Sequence, residues 1–205
     1  MKNVGILGGT FDPIHNGHIM LAMAACEQFD LDAVAIMPTG VSPHKGKIRE
    51  TTVENRVDMV SLAIEDKDKL FLSREEIDST DEVCFTYNTL TRLKEKNKDT
   101  NYYFILGGDS LKDFKLWRHP EIICEKAAIL AAIRDDIDGE IYDSYIEEIK
   151  YLFSADIRPL RTKNYHVSSH DIRDAIKAGQ DVSDVINKKV YDYIKKNGIY
   201  GYKGN

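Results

Sequence analysis

Apolar positions along this chain fall into two rhythms. Short unbroken runs (Val4–Leu7, Ala33–Met37, Tyr102–Leu106 and Ala127–Ile133) have the length of buried strands. Phe71–Ser73 and Ile157–Leu160 add two shorter candidates. Between them lie helix patterns. Ile19–Phe29 is long and apolar, and Val53, Val57, Val60 and Ile64 recur at helical spacing behind a Thr51-x-x-Glu54 capping box. Further helices are expected from Thr86, from Ser110, over Ile146–Phe153 and from Ser168 or Ser169. Residues 182–199 alternate Val185, Ile186, Val190, Tyr193 and Ile194 with lysines, and stop at Asn197-Gly198, a helix-ending signal. The connections 39–47, 74–82 and 134–142 read as loops. Strands alternating with helices predict an α/β fold: a Rossmann-like parallel sheet flanked by helices, with the C-terminal helices packed beside it. A single domain over residues 1–205 is expected, its C-terminal helical cap at about 168–200.

Composition narrows the class. Hydrophobic content of 42% with 30% charged residues is that of a globular chain. A formal net charge of −6 argues against a general binder of nucleic acid or anionic membrane, while leaving room for a local cationic pocket. Cys26, Cys84 and Cys124 are an odd set without Cys-x-x-Cys spacing, which suggests free thiols in a reducing compartment. Met1-Lys2-Asn3 leads straight into the first strand, and no apolar run approaches the ~20 residues of a membrane span, so a cytoplasmic protein is expected.

The densest chemistry lies in Gly8-Gly9-Thr10-Phe11-Asp12-Pro13-Ile14-His15-Asn16-Gly17-His18. A strand, a glycine-bearing loop and a helix start point backbone N–H groups at one spot, where an anion is favoured. Without Cβ atoms, Gly8 and Gly9 let a phosphate approach the main chain. His15 and His18 share a face if the helix begins near Asn16 or Gly17; they can donate hydrogen bonds, and carry charge when protonated. The stretch is neither a Walker A loop nor Gly-x-Gly-x-x-Gly. Two other readings stand beside a nucleotide-phosphate site: a metal shared with His44, and a plain glycine turn with helix-capping histidines.

This stretch resembles the Gly-x-Phe-x-Pro-x-His-x-Gly-His signature of the nucleotidyltransferase superfamily. Further segments narrow the resemblance to the nicotinate-nucleotide adenylyltransferases: Pro43-His44-Lys45, Cys84-Phe85-Thr86-Tyr87-Asn88-Thr89-Leu90, Gly107-Gly108-Asp109 and Val167-Ser168-Ser169-His170-Asp171-Ile172-Arg173. The resemblance implies ATP contacts from Gly8, Gly9, Thr10, Phe11, Gly107, Asp109, Ser168 and Ser169. It implies catalytic roles for His15, His18, Lys45 and Arg173, and a nicotinate-nucleotide pocket from His44, Thr86 and Trp117. Arg56 matches a position where the family often carries arginine near the substrate loops; a surface salt bridge is the competing reading. Read without the resemblance, Lys45 is as well explained as surface charge, Asp109 as a helix cap, and Trp117 as core. The chain departs from the family pattern where Ser42, Cys84, Phe85 and His170 replace Pro, Ser, Tyr and Thr, and where Asp81-Glu82 replaces Arg-x-Gly.

The implied reaction is attack by the 5′-phosphate of nicotinate mononucleotide on the α-phosphorus of ATP, forming deamido-NAD and pyrophosphate. Mg²⁺ would be carried mainly by ATP and water, with no protein metal site. Small-molecule substrates are the expected partners, with a homo-oligomer possible. Nicotinamide mononucleotide, another phosphorylated acceptor and a silent nucleotide-binding module remain as alternatives.

Overall fold

The computed structural model describes residues 1–40, 50–81, 83–134, 139–162 and 167–202, with Asp109, Arg134, Gly139 and Glu140 described by backbone alone. In chain order the elements are β1 (Lys2–Gly9), α1 (Asn16–Gln28), β2 (Ala33–Pro38), α2 (Val53–Ile64), β3 (Leu70–Leu72), α3 (Thr86–Lys96) and β4 (Thr100–Leu106). After these come α4 (Gly108–Leu111), a 3₁₀ turn (Phe114–Leu116), α5 (Pro120–Lys126), β5 (Ala127–Arg134) and α6 (Gly139–Phe153). The chain closes with β6 (Ile157–Thr162), α7 (Ser169–Lys177), α8 (Lys188–Lys196) and a 3₁₀ turn (Ile199–Gly201). The sheet runs β3-β2-β1-β4-β5-β6 with every pairing parallel, the α/β Rossmann-like fold expected.

Both sheet faces are buried, which is why the strands read as continuous apolar runs. Alternation assigns each residue to a face. Leu7, Val34, Ile36, Ile105, Leu130 and Leu160 join a cluster with Ala22 and Ala25 of α1, Met59 and Val60 of α2, and the C-terminal residues Ile172, Ile176, Val190, Ile194 and Tyr200. Ile6, Met37, Phe104, Leu106, Ile129 and Ile157 face a second cluster holding Leu90 of α3, Ile123 of α5, and Ile146 and Ile149 of α6. Each buried Val, Leu, Ile, Met or Phe among them contributes about 1.5–3 kcal/mol by leaving water. The C-terminal helices therefore complete one face of the sheet. The order in which strands are added reverses between β1 and β4, which both end at a glycine-bearing loop. A crevice opens at such a switch point, beyond the carboxyl ends of the strands.

Three local expectations are corrected. The N-cap of α2 is Thr52, whose hydroxyl accepts from the Asn55 amide at 3.1 Å; Thr51 instead donates its hydroxyl to Asp12 at 2.6 Å. α6 reaches back to Gly139, inside the stretch read as a loop, because Tyr142, Ile146 and Ile149 form one buried stripe at helical spacing. In the tail, residues 182–187 are not helical. Ser183 N–H donates to the Asp181 carboxylate, and Asn187 caps α8 through the Lys189 amide at 2.8 Å, so local side-chain bonds hold the backbone out of the helix.

Candidate active site

The β1–α1 loop is tightly determined by its own side chains. Phe11 is buried at a positive φ of 51°, and a Cβ on Gly9 would lie 3.0 Å from its ring, so Gly9 makes room for Phe11. A Cβ on Gly8 would meet no atom within 4 Å, and Gly8 leaves its open space to the crevice. His15 is the N-cap of α1, and its N–H donates to His18 Nδ1 at 3.2 Å. With Nδ1 accepting, neutral His18 carries its proton on Nε2, an assignment made from the hydrogen-bond network. The two imidazoles stack at 3.7 Å, and the Phe11 ring meets His18 edge-on at 5.0 Å. Burial pushes His15 down to about 4, so at neutral pH it is a polar ring rather than a cation.

Distant segments pin the same loop. Arg56 is fully buried, and its Nη1 donates to the carbonyls of Thr10 (2.8 Å) and Thr39 (2.9 Å), joining the ends of β1 and β2. The surface salt-bridge reading of Arg56 is thereby overturned: it is a positioning residue. Asp12 Oδ1 accepts from Thr51 and from Tyr200, each at 2.6 Å. Tyr200 is buried and also fastens the C-terminal segment to the loop. Ser169 donates its hydroxyl to the Pro13 carbonyl at 2.9 Å, and Arg173 Nη1 donates to the Asp12 carbonyl at 2.8 Å. Ser168, rather than Ser169, caps α7, in a reciprocal box with Asp171. Arg173 Nε also reaches Glu50 at 3.4 Å, and Lys177 meets the same carboxylate at 2.9 Å. Hydrogen bonding from Lys177, with further help from Arg173, holds Glu50 below the usual carboxylate range.

On the other side of the loop a cavity of about 680 Å³ occupies the β1/β4 crevice. Gly8, Gly9 and Thr10 form one wall; Phe85, Thr86 and Thr89 at the start of α3, with Trp117, form another. Thr86 is the first residue of α3, not its cap: Phe85 holds the N-cap position and supplies no side-chain bond; the Asn88 and Thr89 amides turn back to the Phe85 carbonyl, which leaves the amides of Thr86 and Tyr87 as the helix-start donors for an acceptor. Trp117 is half-buried against Phe104 and Phe114, with ring centroids at 6.1 and 5.5 Å. Gly107 caps the short helix α4 with nothing within 4 Å of its missing Cβ; Gly108 is needed for packing, because a Cβ there would lie 2.7 Å from the Tyr142 hydroxyl. Asp109 is in α4, and its side chain is outside the described residues, as are His44 and Lys45 entirely.

Gly8, Gly9, Thr10, Thr86 and Trp117 thus line one cavity, while Phe11, His15, His18, Ser169 and Arg173 surround the loop that walls it. Sequence reasoning missed Glu76, a buried carboxyl in the cavity wall. It lies in a polar stretch read as an acidic connection, and nothing in the pattern distinguishes it from Glu75 or Asp78. Among the described residues no three His, Cys, Asp or Glu side chains converge on a metal position. No described helix is long and apolar enough to cross a membrane.

A parallel sheet with this strand order, carrying a glycine–histidine loop at its switch point, defines a nucleotide-binding α/β protein. The chain belongs to the cytidylyltransferase-like family, a family of nucleotidyltransferases, whose profile matches residues 6–175. Within it, the chain is 39% identical over 200 residues to a probable nicotinate-nucleotide adenylyltransferase of Lachnoclostridium phytofermentans, covering 98% of this chain and all of that one. A Clostridium botulinum protein of the same description is 38% identical over 203 residues at the same coverage. The fold matches that of Plasmodium falciparum nicotinic acid mononucleotide adenylyltransferase complexed with NaAD, with a TM-score of 0.79, 24% identity and 99% of each chain covered.

Proposed function

We propose that this enzyme transfers the adenylyl group of ATP to nicotinate mononucleotide, forming deamido-NAD and pyrophosphate. The observation carrying this reading is the cavity at the switch point, walled on one side by Gly8–Thr10 and on the other by the start of α3 and Trp117. The names of the relatives support the choice of acceptor. Glycine backbone and loop amides suit phosphates; helix-start amides suit a ring carboxylate; an indole face suits a pyridine ring.

The acceptor phosphate is already an anionic nucleophile, so no general base or covalent intermediate is needed. Catalysis is alignment together with neutralisation of developing charge. His18 donates from Nε2 toward the α-phosphate, and neutral His15 orients it through the backbone–imidazole bond and ring stacking. Arg173 and Lys45 take the β,γ side and the leaving pyrophosphate, the triphosphate replacing Glu50 as partner of Arg173. Nucleotidyltransferases of this family generally use a divalent cation with ATP. The donors described here, histidines and backbone amides, suit phosphate oxygens, and Mg²⁺ held by ATP and water is the ion of this reading. ATP and reduced thiols both belong to the cytoplasm, the compartment of this reading; Cys26, Cys84 and Cys124 are free.

Pyrophosphate release, with ATP and either nicotinate or nicotinamide mononucleotide, tests the proposal. The wild-type chain is expected to prefer the acid, and His18→Ala to lose on the order of 10²–10³ in kcat with unchanged circular dichroism. A correctly folded His18→Ala enzyme with near-normal turnover defeats the assignment.

A further inference from the structure

Glu76 is 9% exposed and lines the same cavity wall as Thr86, Thr89 and Cys84. Its Oε1 accepts from the Thr89 hydroxyl at 3.3 Å, one turn from the amide end of α3. Oε2 is buried with no hydrogen-bond partner of good geometry among the described residues. A carboxyl held this way, facing a cavity built for a substrate, is poised to change its charge with what enters.

The charges around it come from three segments. Arg92 of α3 is bonded to Glu75 and Asp81, both on the 73–81 connection, and Asp113 lies elsewhere in the cavity wall. The Cys84 thiol donates to the carbonyl of Glu76 itself at 3.3 Å. Burial pushes the carboxyl up to about 7; bonds from the Thr89 and Thr39 hydroxyls and the charge of Arg92 hold it down, and Asp81 adds to the upward push. In the free enzyme Glu76 therefore exchanges its proton closer to neutrality than an exposed glutamate does.

We propose that Glu76 is the specificity-determining residue of the acceptor pocket: it takes up a proton from solvent when an acceptor bearing a ring carboxylate binds, and stays ionised beside a neutral amide. The physical reason is that two carboxylates in one buried pocket do not both keep their charge. Binding the acid raises the proton affinity of Glu76, whereas an amide N–H₂ suits the ionised form. Acid-over-amide preference is then set by pH, strongest below about 7 and declining above it. This inference rests on the acceptor reading proposed above.

The test measures KM and kcat for both nucleotides from pH 6.5 to 9 at saturating ATP, on the wild-type chain and Glu76→Gln. For the wild type, KM for the acid should rise by up to about tenfold per pH unit above neutrality, while KM for the amide falls slightly between pH 6.5 and about 7.5 and is then flat, with kcat flat throughout. In Glu76→Gln the acid KM should be flat, and lower than the wild-type value at pH 8.5, a gain that a merely structural role would not produce. Calorimetry on the wild type alone, in buffers of different ionisation enthalpy near pH 7.5, guards against a misfolded variant. Acid binding should take up as much as about one proton more than amide binding, the phosphate being common to both. Equal proton uptake, or parallel acid profiles in wild type and variant, overturns the role of Glu76 while leaving adenylyl transfer in place. If neither nucleotide supports pyrophosphate release, the acceptor reading falls and this inference with it.

Discussion

His15 is kept neutral by burial, and that has a consequence for stability. The folded state resists protonation until about pH 4, while an exposed imidazole in the unfolded chain accepts a proton near 6.5. Stability contributed by His15 is thus fully present above about 6.5 and is lost as pH falls toward 4, by at most about 3 kcal/mol. Urea midpoints of wild type and His15→Gln between pH 4 and 7 check this: the wild type should lose more over that window. Parallel curves would mean that His15 is not the group responsible. His15, His18 and the glycines were legible because each residue type has a distinctive chemistry in that spacing. Glu76 was not, because burial in a cavity wall is a property of its surroundings.

At the level of elements, α2 shows how a helix serves a site that it does not line. Its apolar stripe, including Val57 and Val60, was readable and packs as expected. Arg56 sits on the same helix as a fully buried cation whose two carbonyl partners belong to loops 46 and 17 residues away. Replacing Arg56 by Ala leaves the Thr10 and Thr39 carbonyls without this donor, and should cost about 2–4 kcal/mol in urea unfolding. KM for ATP should rise with it, because the β1–α1 loop loses its clamp. A loss below about 0.5 kcal/mol would show the clamp to be dispensable. Helix ends were less legible than helix faces. Thr51 and Thr52 offer the same hydroxyl, and only the position of Asp12 selects between them.

Across the whole molecule, the first loop and the C-terminal segment meet at the site. The Tyr200 hydroxyl donates to Asp12 across 188 residues, and the side chain of Asn16 at the start of α1 donates to the Asp184 carbonyl. Tyr200→Phe keeps the packing and removes one bond to a charged acceptor, with an expected cost of about 1.5–3 kcal/mol. It should also lower kcat, since Asp12 belongs to the loop that carries His15 and His18. Thermal melts together with pyrophosphate release measure both effects; an unchanged melting temperature would remove Tyr200 from the site's support.

The hydrophobic pattern by itself determined the alternation of strands and helices, because strand and helix periods are local properties of the backbone. The residue types of the first loop likewise set the expectation of an anion site there, because glycine, histidine and a helix start are adjacent in the chain. Tertiary structure decided which side chains close that loop, which threonine caps and which donates, and that one glutamate among several is buried in the cavity wall. Those choices depend on contacts between residues far apart in sequence, and on the desolvation that only a packed fold imposes.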